Sequence, residues 1–112
     1  MKTKTSELID TQLDWAVSKC EGYLCDPKHK DTLVSYSTDW AESGPIIENE
    51  GIHLTTKAGV HKQTGEWTAQ LGWAGDITLH GQTPLIAAMR CYVASKLGSE
   101  IEIPEEFNLD LK

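Results

Sequence analysis

Positive charge is scarce in this chain. Its one arginine is Arg90, and ten basic side chains face seventeen acidic ones for a formal charge of −7. Nucleic acid is held chiefly through cations that displace its counterions. Here the cations do not gather: Lys2 with Lys4 and Lys28 with Lys30 come nearest to a patch. Sequence-general nucleic-acid binding is therefore not expected, nor is attraction to anionic lipid. Long apolar runs are missing too. None approaches the roughly 20 residues that span a bilayer, and the stretch from Met1 to Glu7 lacks the apolar centre of a secretory leader. The expected location is the cytoplasm. Cysteine is limited to Cys20, Cys25 and Cys91, an odd number that argues against a secreted disulfide framework. There is no phosphate loop, no dinucleotide glycine fingerprint, no Gly-x-Ser-x-Gly elbow and no internal repeat, so no cofactor is expected.

What is present suits one folded domain over residues 1–112 with an acidic tail at 104–112. Apolar residues make up 39% of the chain and charged residues 24%, which is not a disordered composition. A domain of this length buries roughly two-thirds of its unfolded surface, enough for a core without staples.

Lys2 to Thr5 reads as a short edge strand or a loose arm. A helix is predicted over about 11–21. Asp10 or Thr11 is available as its cap, Leu13, Ala16, Val17 and Cys20 form its apolar stripe, and Gly22 is its stop. Residues 23–32 read as a loop around Pro27, and Leu33 to Tyr36 as a short strand. Pro45 and Gly51 bracket one or two helical turns over Ile46 to Glu50. Ile52 to Thr55 and Trp67 to Leu71 alternate apolar with polar and are expected to pair as an antiparallel hairpin, with Ile77 and Leu79 as a possible third strand.

The strongest element lies near the end. Thr83 caps, Pro84 takes the first helical position and Gly98 closes the helix. Leu85, Ile86, Met89, Tyr92, Val93 and Leu97 make one broad face; Ala87, Cys91 and Ala94 cover much of the other. A helix apolar nearly all round must be covered nearly all round. It is either the centre of the domain or half of an oligomer interface. Glu100 to Ile103 alternates as a final short strand stopped by Pro104. The expected fold is α+β: a small antiparallel sheet packed on a long, mostly buried C-terminal helix, with a second helix from the N-terminal part. A homo-oligomer is expected, because one small domain can hardly sheathe every side of that helix.

Three blocks carry a resemblance. They are Met1 to Leu8 with Leu13-Asp-Trp-Ala-Val17; Tyr36-Ser-Thr-Asp-Trp40 with Gly44-Pro-Ile-Ile-Glu48; and Thr83 to Gly98. Together they resemble the NinX family of lambdoid phages, a family of unknown function. The resemblance implies a small accessory protein of a phage recombination and replication region, acting in the host bacterial cytoplasm. It brings no catalytic residues.

Candidate sites are few. Cys20, Cys25 and His29 are spaced four and then three apart, which is not a common zinc pattern, and a second ligand pair is missing. A buried structural thiol is the better account of Cys20, and no metal site is expected. His29, His53, His61 and His80 show no helical spacing with a carboxylate. The segment Tyr36-Ser37-Thr38-Asp39-Trp40 combines two aromatic rings, two hydroxyls and a carboxylate. Rings stack on bases and hydroxyls bond to base or ribose edges, so this is the equipment of a nucleotide-like site. Its plainer role is a capped turn with Trp40 in the core. Arg90, on a mostly covered helix, needs a partner: a carboxylate such as Asp39, or a ligand phosphate. The candidate ligand-binding set is Tyr36, Ser37, Thr38, Asp39, Trp40 and Arg90. The expected function is a non-enzymatic accessory protein that binds a small nucleotide-like molecule, such as a host defence signal. A protein-protein adaptor acting on a host or phage protein is the alternative, and a nucleotide hydrolase a weaker third.

Overall fold

The helix that is apolar on all sides organises everything around it. The structure, a computed structural model, describes residues 2–22, 34–56, 67–72 and 77–103. In chain order these form β1 (Lys2–Lys4), a 3-10 turn (Thr5–Glu7), α1 (Asp10–Cys20), α2 (Trp40–Glu50), β2 (His53–Thr56), β3 (Trp67–Leu71), β4 (Ile77–Gly81), α3 (Pro84–Leu97) and β5 (Glu100–Glu102). The α+β class is as the sequence predicts. α3 runs between the bounds that Thr83, Pro84 and Gly98 set, with the Thr83 hydroxyl accepting from the Ile86 amide.

α3 packs against the three-stranded sheet, α1, α2, the 3-10 turn and β5. Ala87, Ala88, Met89, Cys91 and Val93 are fully buried, and Leu85 and Tyr92 nearly so. The covering thus comes from within one chain, which removes the reason given above for expecting an oligomer. Tyr92 donates its hydroxyl to Glu21 at the end of α1, which holds the phenol's pKa above its ordinary range together with burial. Lys96 reaches Glu50 of α2 at 3.4 Å.

The sheet has the order β2-β3-β4, antiparallel throughout. Leu54 stands opposite Ala69, and Ala69 opposite Leu79. Opposed residues share a face, so these three, with Trp67, Leu71 and Ile77, form the side that joins the core. The other side carries His53, Gln70 and Thr78 in one row and Thr55, Thr68 and His80 in the next. The Thr68 hydroxyl and His80 Nδ1 are 3.1 Å apart. A separate two-stranded sheet joins β1 to β5, so the first residues are an edge strand and not a loose arm. Its register sets Lys2 opposite Glu102 and Lys4 opposite Glu100, a favourable pairing of charges.

Three expectations are corrected. α1 starts at Asp10 after Ile9, with no side-chain cap, and Asp10 itself sits at φ +49°. α2 is eleven residues long, not one or two turns, because Asp39 caps it and Pro45 lies inside it. Gly44 relieves one part of the cost, because the residue before a proline is crowded at its N–H and Cβ and glycine has no Cβ. Pro45 still forgoes the bond that an N–H there would make within the helix. Residues 34–36 are not a strand. The Tyr36, Thr38 and Asp39 amides bond locally to the Val34 and Ser35 carbonyls, which leaves too few donors for a ladder. The loop at 23–32 and the tail at 104–112 lie outside the described residues.

Gly81, at the end of β4, allows the sheet to meet α3. A Cβ built there falls 2.6 Å from the Ala87 amide nitrogen and 2.8 Å from Ile86 Cγ2. The first of these is backbone and cannot swing away. Gly81→Ala is expected to lower stability by about 1–3 kcal/mol or more through overpacking, read as a lower urea midpoint. An unchanged midpoint would show that β4 and α3 are not in this contact.

Candidate functional site

The segment between residues 34 and 40 is fixed by three elements. Asp14 of α1 accepts the Ser37 amide at 2.7 Å. Ser43 of α2, fully buried, donates its hydroxyl to the Tyr36 carbonyl. Asp39 closes the turn by accepting the Ala41 amide at 2.9 Å, which starts α2. These anchors bury Tyr36 and Ser37 at 4% and 3% exposure. They also leave Trp40 54% exposed, the one large apolar side chain so exposed among the described residues.

Facing this turn is the start of α3. Ser37, Thr38 and Trp40 on one side and Thr83, Pro84, Leu85 and Ile86 on the other line a cleft of about 250 Å³. Its walls are mainly apolar, with exposed hydroxyl-bearing residues at Thr38 and Thr83. The Ser37 hydroxyl is buried beside the Asp14 carboxylate, where it favours the ionised form.

Of the six residues proposed from sequence, the structure brings together Ser37, Thr38 and Trp40. Tyr36 belongs to the core cluster. Asp39 is a helix cap. Arg90 is elsewhere: its Nε donates to the Leu8 carbonyl and its Nη1 to the His80 carbonyl, each at 2.8 Å. Burial lowers the guanidinium's pKa and neighbouring Glu7 opposes that shift. The Asp39–Arg90 ion pair that the charges would permit is not formed. Arg90 instead pins the chain before α1 and the end of β4 to α3. The walls from α3 were missed as site residues, since Thr83-Pro84 announces a helix start and says nothing of what lies opposite.

The remaining candidates offer less chemistry. Cys20 is half-buried and Cys91 fully buried; burial pushes each thiol up to about 11, so neither is a thiolate at neutral pH. His53 and His80 are exposed on the outer sheet face. Cys25, His29 and His61 lie outside the described residues. Among the described residues no three His, Cys, Asp or Glu side chains gather as a metal site would need.

A profile described as Bacteriophage P22, NinX matches residues 4–96. The chain belongs to the NinX family of bacteriophage proteins. The matched span includes the turn at 34–40 and the start of α3, so both walls of the cleft are NinX-family sequence. A search of curated proteins gives no match. Among the described residues of this NinX-family chain, no helix is long and apolar enough to cross a membrane.

Asp14 supplies a test of how the turn is held. Burial raises its pKa above 3.8, the Ser37 amide and hydroxyl oppose this, and Asp10 adds to it. Its contribution to stability is therefore full below the unfolded-state value and declines as pH rises through the higher folded-state value. Asp14→Asn keeps an acceptor for the Ser37 amide without the buried charge. It should match or exceed wild-type stability at neutral pH, with the difference closing toward about pH 4. Asp14→Ala leaves a buried amide unpaired and should lose about 1–3 kcal/mol. Urea midpoints at both pH values distinguish these outcomes; equal losses in both variants at neutral pH would mean that the charge itself is what holds the turn.

Proposed function

We propose that this NinX-family chain is a non-enzymatic phage accessory protein that binds a small nucleotide-like molecule in the cleft between the 34–40 turn and the start of α3. Sequestering a host defence signal is the role that fits a small phage protein with no assembled catalytic set among the described residues. The reading is carried by Trp40. An indole more than half exposed forgoes much of its burial free energy, and a stacking partner would recover it. Thr38 and Thr83 add hydroxyls at the edge of such a ring.

Trp40 also favours a second reading. Tryptophan is one of the side chains enriched among the energetic anchors of protein interfaces, and Glu42 and Glu48 are exposed on the same helix. An adaptor would then use the ring to engage a host or phage protein. A nucleotide hydrolase receives no such support.

A thermal-shift screen against nucleotides and cyclic nucleotides separates these. A true ligand at a hundredfold its Kd adds about 2.7 kcal/mol of stability. Trp40→Ala, at an exposed position, should leave the unliganded melting temperature nearly unchanged and weaken that ligand by about 1–3 kcal/mol, the worth of a stacked base. If no compound in the screen raises the melting temperature, the small-molecule reading is abandoned in favour of the adaptor.

A further inference from the structure

A nucleotide has a charged end and a neutral ring, and the cleft is equipped for only one of them. None of its seven lining residues is charged. The chain's one guanidinium is committed to the Leu8 and His80 carbonyls, away from it. A helix start can hold phosphate through several converging amides, but here that supply is nearly exhausted. Pro84 has no N–H, the Ile86 amide is taken by the Thr83 hydroxyl at 3.1 Å, and the Ala87 amide by the Thr83 carbonyl at 3.1 Å. The net charge of −7 works against a polyanion as well.

The features that remain suit a ring. The cleft's volume, about 250 Å³, falls below the roughly 300–1,000 Å³ of pockets that enclose a whole drug-sized molecule. Trp40 offers a stacking face. Thr38, exposed on the same wall, carries a hydroxyl that can bond to a ring edge.

We infer that the cleft recognises the neutral heterocycle of a nucleoside-like ligand and leaves any phosphate in solvent. This rests on the small-molecule reading above and specifies which part of the ligand is bound. Calorimetric titration of the intact chain with the four common nucleosides and their 5′-triphosphates, at low salt and at tenfold higher salt, tests it. At least one nucleoside should bind within about threefold of its own triphosphate, with an affinity that changes less than about threefold across the salt range, because no phosphate contact releases counterions. A triphosphate that binds more than about tenfold tighter than its nucleoside, and loses that advantage in high salt, would overturn the inference while leaving the ligand-binding reading intact. Failure of every nucleoside and triphosphate to bind would overturn both.

Discussion

A helix with apolar residues on all sides cannot rest on one surface, and α3 imposes that constraint on the whole chain. The sheet covers it with Leu54, Ala69 and Leu79, α1 covers it with Leu13, Ala16 and Val17, and the segment after Gly98 returns Ile101 and Ile103 to the same core. The close approach at Gly81 shows how tightly the cover fits. A 14-residue helix of small and branched side chains gains most of its stability from such tertiary packing and little from its own length. The cleft follows from the same constraint. The sides of α3 are covered, and its first turn meets Gly81 of β4 on one side and faces the 34–40 segment on another, where the cleft leaves the cover incomplete.

Polar groups inside this shell are held by backbone more than by opposite charge. Asp14 takes an amide from Ser37, Arg90 gives hydrogen bonds to the Leu8 and His80 carbonyls, and Ser43 gives one to Tyr36. Charge-assisted bonds to backbone fix loops in place without requiring a second buried ion. Thr5 does the same at the other end, with its hydroxyl donating to the Gly98 carbonyl at 2.7 Å and its amide to Ser99 at 2.8 Å. Loops rich in turn residues are thereby tied to helices at single, identifiable atoms.

This pattern explains what the sequence made legible. Thr83, Pro84 and Gly98 act through bonds to their immediate neighbours, so the bounds of α3 could be read locally. The alternation at β3 is also local, and the hairpin followed from it. Pro45 usually marks a first turn, which predicts a shorter α2; the Asp39 cap six residues upstream starts the helix earlier. For Arg90 the sequence offers carboxylates or a ligand phosphate as partners, because side-chain charges can be counted in a sequence. Backbone carbonyls 82 and 10 residues away cannot. The candidate cleft was legible on one wall only. Ser37, Thr38 and Trp40 announced themselves by chemistry, whereas the opposing wall is a helix start whose residues have an evident local purpose.

The division of labour within the 34–40 segment is what joins the fold to the proposed site. Adjacent residues serve opposite ends: Tyr36 and Ser37 are drawn inward by Ser43 and Asp14, and Thr38 to Trp40 are turned outward by the cap that begins α2. Trp40 occupies the first position of that helix. Its backbone belongs to the helix, while its ring remains free of the core. A stacking platform needs that combination, because a ring on a floppy loop would lose conformational entropy on binding that a pre-positioned ring does not. Had Trp40 simply completed the core, the Asp39 cap would have served equally well with a small residue after it. Its exposure at the end of a capped helix is the one feature of the turn that packing leaves unexplained.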